Sequence, residues 1–196
     1  MDDLAAAEEQ ADAAAGRWAE AHARSLGALR EYIAGTAAPP GTPPNADAVL
    51  DDALAGLHDA DARARAAHGA SRSAVVERVD EHEAALDDMY AAVHAARRAL
   101  SRIDPARAAD RGEHSLHPSC ADRAMALSAR ARAYEAELQV KRRVVGGLRP
   151  GAPANELRTL LVAWEAQPML AGVHEAAREM DEARRSGGAA GELEPG

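Results

Sequence analysis

His114, His117 and Cys120 follow one another at three-residue intervals, and imidazole and thiolate are ligands that zinc prefers. A loop carrying them could wrap an ion, with Glu113 or a distant residue as fourth ligand. No second Cys/His pair accompanies them, so the pattern falls short of a finger or ribbon. The structural alternative is a loop histidine capping the next helix, with Cys120 a small buried residue at its start. His22, His58, His68, His82 and His94 lie on helical segments, where such residues usually sit half-solvated at the edge of packing. A di-metal bundle would need Glu-x-x-His motifs facing one another across a core, and that motif does not occur there. Neither a Gly-x-x-x-x-Gly-Lys-Ser/Thr phosphate cradle nor a Ser/His/Asp set with supporting context is present. The chain therefore reads as non-catalytic and without a cofactor. A metal-dependent helical enzyme built on His114, His117 and Cys120 is the rival reading.

The elements that must position any site are helical. Of the 196 residues 47% are hydrophobic, but these are mostly Ala; there is no Phe, and aromatics make up 3%. Ala buries little apolar area and is the best helix former, so thin helix–helix seams suit this composition better than a thick core. The formal net charge of −9 excludes a nucleic-acid binder driven by overall charge. The charge is uneven: residues 120–149 hold seven Arg/Lys against three Asp/Glu, while 1–35 and 45–103 are each net acidic. Such a basic strip suits an acidic partner surface or the chain's own acidic helices. The single cysteine permits no intrachain disulfide and fits a reducing compartment. Met1-Asp2-Asp3 does not begin a secretory signal, and no apolar run is long enough to span a membrane.

Residues 1–35 read as a first helix with Trp18, His22, Ser25, Leu29 and Tyr32 on one stripe and Gly35 as its stop. A Pro-rich linker, 36–46, follows. Asn45 or Asp47 is placed to cap a long helix over 47–103. Its heptad register is Leu50, Leu54, Leu57, a weak centre, then Val75, Val79, His82, Leu86, Met89, Val93, Ala96 and Leu100. Gly69 and Ser71 mark an expected break. Residues 104–118 read as a loop, and Ser119 with Asp122 as a capping box. Residues 119–185 read as a C-terminal helical hairpin, with Asn155 capping its short second helix and Pro168 breaking it. The composition of 186–196 predicts a disordered tail. The fold expected is all-α: an elongated helical hairpin or antiparallel three-helix coiled coil, with a short C-terminal helix.

One stretch has particular rather than generic spacing: Tyr134, Glu137, Leu138, Val140, Lys141, Arg142, Val144, Leu148, Leu157, Trp164, Gln167 and Pro168. It holds the only lysine and one of two tryptophans. Tyr134, Leu138, Val144, Leu161 and Trp164 suit the core of a helical hairpin, and Tyr and Trp also anchor interfaces. Lys141, Arg142 and Arg143 fan over roughly 200° of helix, so at most two share a face. They make either a solvated face balanced by Glu135 and Glu137 or a docking strip for an acidic partner. The triplet alone is too short to be a nuclear signal.

This stretch resembles the C-terminal region of the cyclin-dependent kinase 2-interacting protein family, over about 35 residues from Tyr134 to Pro168. Leu116-His117 and Trp18 are similar to further family positions. The resemblance implies a non-catalytic adaptor that joins a complex containing AAA+ ATPases in large ribosomal subunit maturation and replisome remodelling. It also implies links to cyclin-dependent kinase and DNA-damage checkpoint kinase machinery. The location implied is the nucleus, with the cytoplasm second, and the partner-binding residues implied are Tyr134, Glu137, Leu138, Lys141, Arg142, Val144, Leu148, Trp164, Gln167 and Pro168. No direct contact with nucleic acid or membrane is expected, and assembly is a helix-mediated hetero-oligomer. The rival non-enzymatic reading is a coiled-coil subunit of a tethering, kinetochore or cytoskeletal complex.

Overall fold

The computed structural model describes residues 2–37, 50–102, 116–173 and 175; the side chains of 2, 37, 50–61, 64 and 116–119 are not among those described. Among the described residues the fold is all-α, with helices α1 (Asp2–Ala37), α2 (Leu50–Ser101), α3 (Leu116–Gly147) and α4 (Ala154–Ala166). Ion pairs fix how they run. Arg102 meets Asp3, Arg17 meets Asp88 and Arg24 meets Glu81, numbers falling on α2 as they rise on α1, so this pair is antiparallel. Tyr90 with Glu135 and Glu83 with Arg142 make α2 and α3 antiparallel as well. Glu8 with Arg123 and Asp12 with Arg130 then show α1 and α3 running parallel, diagonal to one another.

The first stripe buries as its spacing requires: Trp18, Ser25, Leu29 and Tyr32 are buried, and His22 half-buried. On α2, Val75, Val79, His82, Leu86, Met89, Val93 and Ala96 form the facing seam. At the N-terminal end of α1 small residues carry the contact, Ala7, Ala11 and Ala14, which lets the backbones approach closely.

Several expected boundaries move. Gly35 does not stop α1, which runs on to Ala37, with the Thr36 hydroxyl donating to the Tyr32 carbonyl at 2.8 Å. Gly69 and Ser71 do not break α2, which is continuous from Leu50 to Ser101. One helical glycine costs only about 1 kcal/mol, and the seam on its C-terminal side outweighs that. Ser119 is not a cap: α3 already starts at Leu116, and Pro118 sits in its first turn, where the missing N–H is harmless. Asn155 is not a cap either; the N-cap is Pro153, with no side-chain hydrogen bond, and its carbonyl accepts from Leu157 N at 3.1 Å. The linker from 38 onward, the Asn45/Asp47 cap, the loop at 104–115, the side chains of Leu50, Leu54 and Leu57, and the tail 186–196 lie outside the described residues.

Arg149-Pro150-Gly151-Ala152 reverses the chain after α3. Pro supplies the second position, Gly151 has φ 77°, and Ala152 N donates to Arg149 O at 3.2 Å, a type II turn. The turn folds α4 back into the groove between α1 and α3, on the side away from α2. A Cβ on Gly147 would stand 2.9 Å from Leu160 Cδ1, so glycine lets α3 and α4 close. Among the described residues the end that holds α4 is thus a four-helix, up-down-up-down bundle, and the other end a three-helix one. Rather than forming a hairpin with α3 alone, α4 leans on α1 as well.

Candidate functional site: the motif cluster at the helix junction

All four helices meet where the three-helix half becomes the four-helix half. α1 supplies Trp18, His22 and Ser25; α2 supplies His82; α3 supplies Tyr134, Glu137 and Lys141; α4 and its exit supply Trp164, Gln167 and Met169. The Trp18 ring stands edge-on to both His82 and Tyr134, with centroids 4.5 and 5.0 Å apart. Such edge-to-face pairs add to the large apolar area that each ring buries.

The two indole N–H groups of this core each find a partner on a different element. Trp164 Nε1 donates to Ser25 Oγ at 3.1 Å, and that hydroxyl donates to the His22 carbonyl at 2.8 Å. Trp18 Nε1 donates to Gln167 Oε1 at 3.0 Å. Gln167 itself is left-handed, φ 41°, directly before Pro168. A proline disfavours helical backbone in the residue before it, and the left-handed state costs about 1–2 kcal/mol for a non-glycine. The strained residue is held by its own side chain on Trp18.

The charged members lie inside. Glu137 and Lys141 have no exposed side-chain surface and stand one helical turn apart, Oε1 to Nζ 3.9 Å. Lys141 Nζ lies 4.2 Å from the Trp164 ring centroid, a cation–π contact, and 3.0 Å from His22 Nδ1. Met169 N donates to Glu137 Oε2 at 3.1 Å, which ties the chain after α4 to α3. Burial holds the Lys141 ammonium down, to about 8, against the attraction of Glu137. The same desolvation raises Glu137, although Met169 N and Lys141 pull it the other way. His82 is lowered to about 4, mainly by burial and further by its neighbours Lys141 and His22, although its bond to the Arg78 carbonyl and Glu81 favour the charged form.

Of the residues implied by the resemblance, Tyr134, Glu137, Leu138, Lys141, Val144, Leu148 and Trp164 are buried, and Gln167 is half-buried. Pro168 is exposed, and Arg142 reaches out to Glu83 on α2, Nη2 to Oε1 2.6 Å. The basic triplet therefore splits three ways: Lys141 inward, Arg142 to α2 and Arg143 to solvent. Sequence reasoning missed His82, which is wholly buried rather than half-solvated, and Gln167 as a partner of Trp18. The in-register position of His82 between Val79 and Leu86 was the available signal.

His114 lies outside the described residues, as does the side chain of His117; Cys120 is a free, buried thiol on α3. Among the described residues no group of three His, Cys, Asp or Glu side chains is arranged to hold a metal ion, and no helix is long and apolar enough to cross a membrane. Comparison of the chain with family models, curated proteins and solved structures gives no match.

Proposed function

We propose that this chain is a non-catalytic adaptor subunit of a nuclear multiprotein complex. Its partners, by resemblance to the cyclin-dependent kinase 2-interacting protein family, are AAA+ ATPases in ribosome maturation and the kinase machinery of replication and checkpoint control. The observation that carries the reading is the convergence of the resembling residues. Tyr134, Glu137 and Lys141 on α3 and Trp164 and Gln167 at the end of α4 meet in one cluster with Trp18 of α1. Steps of three and four residues put the first three on one face of α3, and the turn at Pro150-Gly151 brings the last two against it.

In this reading the motif builds the scaffold, and the partner meets what the scaffold displays. Arg132 and Arg143, eleven residues apart on α3, fall within about 20° of one another on the helix and are both exposed. They form the docking strip for an acidic surface. Affinity purification from eukaryotic nuclei with mass spectrometry tests the proposal: AAA+ ATPase subunits are the expected partners.

One observation favours the second reading, a structural tether. His68 stacks on Tyr32 near the end of α1, yet α2 extends back to Leu50, about 27 Å further at 1.5 Å per residue. A bound set made of other coiled-coil subunits, without an ATPase, would select that reading.

A further inference from the structure

The polar cluster beneath α4 holds more titratable groups than counter-charges, and its contacts fix where protons can sit. His82 Nδ1 is 2.5 Å from the Arg78 carbonyl oxygen. A carbonyl only accepts, so Nδ1 carries the hydrogen, and neutral His82 has a bare Nε2. That Nε2 is buried with no hydrogen-bond partner among the described residues. A proton added there would create a buried N–H without an acceptor on an ion without a counter-ion.

Of the charged side chains around His82, only Glu81 favours its protonated form. α1 brings His22, and α3 brings Lys141. α2 itself brings Glu81, whose carboxylate is already held by Arg24 and Arg78. α4 brings the uncharged Trp164 ring, centroid 6.2 Å away. Glu137, the one buried carboxylate among the described residues, is engaged by Met169 N and lies beside Lys141.

The His22–Lys141 contact has the same sensitivity. At 3.0 Å, one nitrogen must donate and the other accept. Either the ammonium donates to a neutral imidazole or an imidazole N–H donates to a neutral amine. With both groups protonated, two donors face each other and the contact breaks.

α4 is the element positioned to yield. It is the shortest of α1 to α4, with 13 residues. It is tied at the cluster by Trp164 to Ser25, Gln167 to Trp18 and Met169 to Glu137, and at its flank by Arg30 to Glu165. Lifting it brings water to His22, His82 and Lys141 at once, while the α1–α2 seam below keeps its own contacts.

We propose that this cluster is an acid-responsive latch: protonation of His82 and of the His22–Lys141 contact releases α4 from the groove between α1 and α3 while the three long helices stay paired. The proposal is independent of the adaptor reading, since it concerns one joint within the chain.

The test is amide hydrogen exchange of the full chain by NMR at about pH 7.5 and about pH 5, corrected for the intrinsic exchange rate at each pH. The readouts are Met169 N–H and the Trp164 indole N–H, with the Ala92 amide as reporter of the α1–α2 seam. Protection of Met169 is expected to fall about 30-fold. That ratio follows for an imidazole that titrates at the ordinary 6.5 when α4 is open and at about 4 when it is closed. Ala92 protection is expected to hold. In His82→Gln, whose amide can still donate to the Arg78 carbonyl but takes no proton, most of the pH response is expected to vanish. Loss of Ala92 protection in step with Met169, an unchanged response in His82→Gln, or no response in the wild type would each overturn the latch. Should His82→Gln not fold, the imidazole Cε1–H shifts of the wild-type chain decide. The opening transition must track titration of His82, and an α4 that opens while His82 stays neutral contradicts the proposal.

Discussion

Lys141 Nζ sits 4.2 Å above the Trp164 ring, and neither side chain reaches solvent. The only lysine of the chain thus links α3 to α4 from the inside. Its ammonium is lodged between an aromatic face, a histidine nitrogen and a carboxylate one turn away.

Removing the ring should be severe and removing only its N–H mild. Trp164→Ala empties a fully buried site and is expected to cost about 3–5 kcal/mol. Trp164→Phe loses the bond to Ser25, whose hydroxyl still donates to the His22 carbonyl, and is expected to cost about 1–2 kcal/mol. Urea unfolding of both variants, followed by circular dichroism, checks the ranking.

Lys141→Met is expected to be destabilising by roughly 3–5 kcal/mol, because it leaves the Glu137 carboxylate buried without its cation. Glu137→Gln with Lys141→Met together should recover most of that loss, since the amide oxygen can still accept from Met169 N. A double-mutant cycle measures this coupling. Additive losses would mean that the two charges do not depend on each other.

Acid should weaken the fold through His82. Its folded value, about 4, lies below the ordinary 6.5, so between those values the unfolded chain binds more protons than the native one. Stability is therefore complete above 6.5 and is lost as pH falls toward 4, on the order of 3 kcal/mol from this group. Lys141, held to about 8, acts in the alkaline window. Stability rises with pH from about 8 toward the ordinary 10.5, as the unfolded chain gives up the proton that the native one has already lost. Urea midpoints across these two ranges, wild type against His82→Gln and Lys141→Met, check each sign.

Charge reversal at Arg123→Glu should cost about 0.5–1 kcal/mol, the scale of a partly exposed pair, and Glu8→Arg in the same chain should restore part of it. Rescue by the swapped pair tests the parallel alignment of α1 and α3, because the two residues meet only in that alignment.

The seams were legible because period alone sets them. Trp18, Leu29 and Tyr32, and Val75 through Ala96, face inward at the spacings that their sequence shows. Boundaries were less so. Gly35 and Gly69 look like punctuation, but long packed helices absorb a local cost near 1 kcal/mol. Ser119 resembles a cap that its helix, begun at Leu116, does not use. The split of Lys141, Arg142 and Arg143 was half legible: 100° steps forbid a common face, but nothing local says which residue turns inward. The inward choice of Lys141 depends on Trp18 and His22, more than a hundred residues earlier. The groove that receives α4 is set by the type II turn at Pro150-Gly151 together with two helices distant in sequence.

The adaptor account is tested most directly by partner recovery with the scaffold left intact. Arg132→Glu/Arg143→Glu changes two exposed positions and should leave helicity and melting temperature as in the wild type. Tagged wild-type chain is predicted to recover AAA+ ATPase subunits from nuclear extract, and the variant at least about tenfold less, the effect of roughly 1.4 kcal/mol lost at the interface. Equal recovery by both chains would contradict the α3 strip as the docking surface, and wild-type recovery without any AAA+ ATPase would contradict the adaptor reading itself.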